Sequence, residues 1–242
     1  MMKKILFFTL LGSLFFAQQK PLVVYDKYPP DVDFYEGGVK KFYNDIHEAI
    51  VKEKIEPCQN KNELYKVSFI VYPDNSIKFV KENDPLKIEQ NKCAYELTRK
   101  TFRFLNGWNP PVVSGEKVAA VASAYIYPDD LFSNYRRGYD IMYYYTPPLF
   151  EGGSGNFWKK FEKNANVRGY DWDQKIRLVM HINIDEDGNM TGFKMNPGSR
   201  NENFDDMLIK SVRWIKEKWT PAKLHGINIE TVYKFPITLT EE

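Results

Sequence analysis

The segment Phe204–Phe235 constrains this chain most, because it prescribes one local fold and occurs twice. Phe204, Leu208, Ser211, Val212, Ile215 and Trp219 recur at three- and four-residue steps, the signature of a helix with one buried face. Pro221 cannot continue a helix, and Gly226 allows a tight change of direction. Ile227, Ile229, Thr231, Tyr233 and Phe235 then alternate with Asn228, Glu230, Val232 and Lys234, as in a half-buried strand. The earlier copy runs from Cys93 through Trp108 to Val118–Tyr127. Trp108, Pro110 and Gly115 keep the spacing of Trp219, Pro221 and Gly226. Repetition at such a period predicts two similar domains.

Upstream of each copy lies a matching start. Glu36-Gly37-Gly38 precedes the apolar positions Phe42, Tyr43 and Ile46; Glu151-Gly152-Gly153 precedes Phe157, Trp158 and Phe161. Each is a turn leading into an amphipathic helix. Two strands follow each helix. Tyr65–Tyr72 and Ile77–Lys81 flank Pro73-Asp74-Asn75-Ser76, and Ile176–Ile184 and Met190–Met195 flank Asp185-Glu186-Asp187-Gly188-Asn189. Asp-Gly between alternating strands is a hairpin signal. The expected class is therefore α+β, with two tandem α-β-β-α-β domains, each a small antiparallel sheet with two helices on one face. The expected boundaries are 18–128 and 147–242, joined by a Tyr-rich linker over 129–146. Tyr135, Tyr139, Tyr143, Tyr144 and Tyr145, beside Arg136-Arg137, form either a ligand surface or packing across the junction, and packing is the favoured reading.

Residues 1–17 read as a cleavable signal peptide: Lys3-Lys4, an apolar run from Ile5 to Phe16, then Ala17. The run is shorter than the roughly 20 residues of a spanning helix, and no Cys follows it to carry a lipid. Its removal takes two lysines and no acid from a chain of 34 basic and 32 acidic residues. The remainder is formally neutral, without the charge footprint of a nucleic-acid binder. Export places the chain in an oxidising compartment. Cys58 and Cys93 are then expected to pair in a disulfide, the alternative being two buried free thiols. Two cysteines without histidine partners do not complete a metal site.

Catalytic chemistry finds little support. His47, His181 and His225 fall on three separate elements, each expected to be exposed or singly hydrogen-bonded, and no triad or metal spacing emerges. Asp185–Asn189 lacks the EF-hand spacing, and the Gly-Gly pairs lack that of a phosphate loop. No enzymatic activity, cofactor or metal is expected; a hydrolase of the cell envelope is the outlying alternative.

The pattern Glu151-Gly152-Gly153, Asp187-Gly188-Asn189, Trp219, Pro221-Ala222, Gly226 and Phe235-Pro236-Ile237 resembles the TonB C-terminal domain family, as carried by exported proteins of Bacteroidetes-type bacteria. The likeness covers Pro147 to Leu239. The first copy is more diverged, with Asn75 where the second has Gly188 and Pro111 where it has Ala222. The resemblance implies a periplasmic module that takes an extended segment of an outer-membrane transporter as an added strand on its last β-strand. The implied edge is Ile227, Asn228, Ile229, Glu230, Thr231, Val232, Tyr233 and Lys234, with Val118–Tyr125 as its counterpart. The implied partners are envelope proteins, TonB-dependent outer-membrane transporters among them. The sequence shows neither the spanning helix nor the Pro-rich linker of an energy transducer. The expectation is a free binding module, with a self-associating scaffold or homodimer as the alternative.

Overall fold

The computed structural model describes residues 22–29, 31–170 and 175–239. The segment read as a signal peptide lies outside the described residues. The described residues form an α+β protein with five α-helices and several small sheets. In the N-terminal half, β1 (Val24–Tyr25) precedes α1 (Gly38–Lys52), β2 (Tyr65–Val71) and β3 (Ile77–Phe79). Then come α2 (Pro85–Gln90), α3 (Lys92–Thr101), β4 (Val112–Val113), β5 (Glu116–Lys117) and β6 (Ala119–Ile126). Two short strands, β7 (Tyr145–Thr146) and β8 (Leu149–Phe150), lead into α4 (Gly153–Asn164), β9 (Ile176–Ile184), β10 (Met190–Met195) and α5 (Glu202–Arg213). The chain closes with β11 (Trp219–Thr220), β12 (Ala222–Leu224), β13 (Ile227–Ile229) and β14 (Thr231–Leu239).

α1 and α4 each open on a pair of left-handed glycines, Gly37-Gly38 and Gly152-Gly153, with φ between 76° and 83°. Two successive residues in that region are accessible to glycine at little cost, so the paired glycines set the angle at which each helix leaves its turn. Alternation along β2 buries Tyr65, Val67, Phe69 and Val71, and along β9 it buries Leu178, Met180, Ile182 and Ile184. The main sheets run in the orders β1-β6-β2-β3 and β10-β9-β14. Each buries one face under its helices, α1 and α3 or α4 and α5, and two separate apolar cores result.

The bond between Cys58 and Cys93 is formed, with Cα atoms 5.7 Å apart, and ties the loop before β2 to the start of α3. A disulfide fits an extracytoplasmic location. Among the described residues no helix is long and apolar enough to cross a membrane.

Two expectations need correction. The helix read as reaching Trp219 ends at Arg213. Ile215 folds back to bond Val212, Trp214 is left 65% exposed, and Trp219 enters the core from a strand paired with Phe150. Helical spacing at Trp219 is thus a coincidence: burial there is real, but a strand delivers it. The strand read as continuous from Ile227 is also divided. Ile227–Ile229 pairs with β12, and only from Thr231 does the chain pair with β9. The cause is packing, since Ala222, Leu224 and Ile229 belong to the N-terminal core. That core is therefore not built from residues 18–128 alone. The Tyr-rich segment contributes to it as well, through Leu131, Tyr139 and Ile141.

Candidate functional site: a free sheet edge and a sealed junction

β14 forms one border of its sheet, and the direction of its backbone follows from register. Val179 donates to the Pro197 carbonyl at 3.2 Å and accepts from the Asn196 amide at 2.8 Å, so both its polar groups turn toward the β10 side. Its partner on β14 is Pro236. A residue opposite such a position aims its own backbone groups away from the ladder. Pro236 therefore faces the free side, and by alternation so do Val232, Lys234 and Thr238. Val232 and Lys234 offer an N–H and a C=O each, whereas Pro236 has no N–H to give. Proline at an outward edge position blunts that part of the edge. The stretch able to accept a complete ladder is Thr231–Lys234.

The eight expected edge residues thus separate into two groups. Thr231, Val232, Tyr233 and Lys234 lie on the free border of β14. Tyr233 turns inward onto Trp219, with ring centroids 4.6 Å apart, while Val232 and Lys234 are exposed. Ile227, Asn228, Ile229 and Glu230 lie elsewhere. Ile229 is buried, and the Asn228 amide donates to the Glu186 carbonyl at 3.0 Å. Together these four line a groove of about 360 Å³ facing Lys66 and Tyr125 of the first sheet. Their role is to join the two halves.

The corresponding border of the first sheet is occupied. Val24 and Tyr25 pair in parallel with Ala119 and Ala120, so the chain's own N-terminal segment adds a strand to the start of β6. Sequence reasoning missed this strand. Its clue was the apolar run Leu22-Val23-Val24-Tyr25, too short to be distinguished from a loop by alternation.

His225 precedes the turn glycine as the sequence indicates, but its ring is neither exposed nor singly hydrogen-bonded. It sits in the left-handed region (φ 49°) beside Gly226 (φ 76°), in the two-residue turn of the β12–β13 hairpin. Its ring is buried between Tyr127 and Tyr144, both with centroids 3.9 Å away. Nε2 comes within 3.0 Å of Asp130 Oδ2, an ion-pair distance without hydrogen-bond geometry. Burial pushes the Asp130 carboxyl above its ordinary value, opposed by His225 and by the Tyr139 hydroxyl. Burial likewise holds the His225 imidazole below its ordinary value, opposed by Asp130 and Asp129. The position of the pair pins the hairpin onto the N-terminal half. His47 is stacked on Tyr135 at 4.0 Å, with Nδ1 2.9 Å from the Leu131 carbonyl oxygen. His181 lies on the outward face of β9. Among the described residues no cluster of three or more His, Cys, Asp or Glu is placed to hold a metal ion.

Comparison with protein-family models, curated proteins and solved structures yields no match.

Proposed function

We propose that this protein is a non-enzymatic binding module of the cell envelope, exported by a cleaved signal peptide, that captures an extended segment of an envelope protein as an added strand on β14. The observation that carries the reading is the asymmetry between two equivalent borders. β6 already has an added strand from the chain itself, whereas β14, among the described residues, has no strand on its outer side. An exposed edge offers main-chain affinity, and alternate side chains offer choice.

The reading includes an internal duplication of α-β-β-α-β units, on which the equivalence of the borders depends. Its support lies in matching details. β6-β2-β3 and β14-β9-β10 have the same order relative to their helices. Tyr35 bridges to Trp108 as Phe150 pairs with Trp219. The resemblance to the TonB C-terminal domain adds a class of partner, the outer-membrane transporters. The proposed role is capture of that extended segment.

The test is to crosslink the tagged protein briefly in its own periplasm and identify its partners, with Val232→Pro as the control. Val232 presents its N–H outward, so proline there removes a donor for the partner without touching the ladder to β9. Recovery of outer-membrane transporters by the parent and not by folded Val232→Pro supports capture. Equal recovery by both proteins rules out this edge, and recovery of the protein alone favours self-association.

A further inference from the structure

The outward face of the β10-β9-β14 sheet carries a line of cations running across the strands. Lys194 and Lys234 both pair with His181, one from each side, and all three side chains point away from the helices. With strands about 4.8 Å apart, the row is roughly 10 Å long. At that separation, about one Debye length in 0.1 M salt, the two lysines repel each other weakly across His181. Lys27, from the segment after β1, adds to the same field. Burial of the ring, then Lys234, Lys27 and Lys194, hold the His181 imidazole below its ordinary value, and no carboxylate acts against them.

Among the described residues these lysines have no carboxylate partner. Lys41, Lys61 and Lys160 are each paired with a carboxylate. Among the described residues Lys27, Lys194 and Lys234 enter no ion pair. Since the chain as a whole is close to neutral, the row reflects where charges are put and not how many there are.

We propose that this row is a docking surface for an acidic polypeptide segment. Charge complementarity selects the sign, and shape selects the class. A single small anion cannot span the row, whereas an extended peptide places residues i and i+2 about 7 Å apart on one side, so two carboxylates reach both lysines. An anionic membrane surface calls for long aliphatic or aromatic side chains beside the cations. On this sheet face, among the described residues, the exposed apolar side chains are the short Val232 and Pro236. The surface is independent of strand addition at β14, since it uses side chains of all three strands and not the border's backbone.

The experiment measures anisotropy of fluorescein-labelled deca-glutamate with the purified protein at about 0.02 M salt, where exposed charges are weakly screened. Lys194→Glu/Lys234→Glu is expected to weaken binding by about tenfold or more. Lys159→Glu/Lys163→Glu, an equal change of net charge on exposed positions of α4, is expected to change it less than about twofold. If the first double variant does not fold, Lys194→Gln/Lys234→Gln takes its place. Binding is also expected to tighten as pH falls from about 7.5 to about 5.5, as His181 gains its proton, and to lose that dependence in His181→Gln. Equal binding by the two double variants overturns the proposal. So does binding to phosphatidylglycerol vesicles without binding to deca-glutamate, which would make the face a membrane surface.

Discussion

The side-chain amide of Asn75 donates to the Trp108 carbonyl over 2.6 Å, at the place where, in the C-terminal half, Gly188 lies against the Trp219 carbonyl. Both residues sit in the left-handed region, Asn75 at φ 65° and Gly188 at φ 81°, at the tip of a hairpin. In each half a tryptophan backbone is fastened to a hairpin turn, by different means. Asn75 reaches it with a side chain. Gly188 approaches so closely that its carbonyl accepts from the Trp219 N–H at 2.9 Å. A Cβ at Gly188 would stand 1.9 Å from the Trp219 oxygen. Gly188→Ala should therefore cost about 3 kcal/mol or more, from the left-handed conformation and the clash together. Asn75→Ala should cost about 1–3 kcal/mol through the lost bond and the strained φ. Urea unfolding of both variants checks the order; a smaller loss for Gly188→Ala would contradict it.

The disulfide closes a loop between Cys58 and Cys93, separated by 35 residues. Restricting the unfolded chain over that length is worth about 3–4 kcal/mol. Cys58→Ser/Cys93→Ser should lower the unfolding free energy by that amount, and reductant should do the same to the parent and nothing to the variant. Denaturant titration with and without reductant measures both.

Trp214 and Trp219 are five positions apart and differ completely in surroundings. Trp219 is 4% exposed, packed against Phe150, Phe157 and Tyr233, whereas Trp214 is 65% exposed. Trp219→Ala should cost about 3–5 kcal/mol, and Trp214→Ala less than about 0.5 kcal/mol. Thermal unfolding separates the two, and equal effects would place the helix end elsewhere.

That contrast also marks how far the sequence can be read. Period-2 alternation correctly marked the inward residues from Ile227 to Phe235, because burial on one face is a local property of side-chain order. It did not reveal that the chain changes sheets at Glu230, because the pairing partner is chosen by Leu224 and Ile229 finding room in the other half's core. Cys58 and Cys93 were legible from compartment and count. The His225–Asp130 contact was not, since residues on two distant turns are brought together only by the hairpin's docking. The row Lys194, His181, Lys234 was equally hidden: it requires the register of three strands, which no single stretch of sequence contains.

His181 offers a titration test of that register. Its folded-state value lies below the ordinary imidazole value, through burial and then Lys234, Lys27 and Lys194. A depressed histidine costs stability as pH falls from its unfolded value toward its folded one, because the unfolded chain takes up the proton first. Lys234→Glu should raise the His181 midpoint and shrink that acid-side loss. Following the ring proton by NMR over the range checks it, and an unmoved midpoint would show that Lys234 does not face the ring.

His225 responds in the opposite sense when its neighbour loses charge. Burial lowers its affinity for a proton, and Asp130, then Asp129, restore part of it. Asp130→Asn removes the larger of those two supports, so the His225 midpoint should fall further below the ordinary value. The stability lost on acidification through the histidine range should then begin from the same unfolded value and extend to lower pH. Asp130 itself works the other way. Its raised carboxyl favours the protonated fold, and that contribution is lost as pH rises from the ordinary carboxylate value to the folded one. Asp130→Asn removes the carboxylate's slope, so unfolding measured across the acid range in the parent and in Asp130→Asn distinguishes the two contributions. NMR of the His225 ring decides the coupling directly: a midpoint that rises or stays in Asp130→Asn would mean that the 3.0 Å approach carries no charge interaction and that the two tyrosine rings alone hold the hairpin in place.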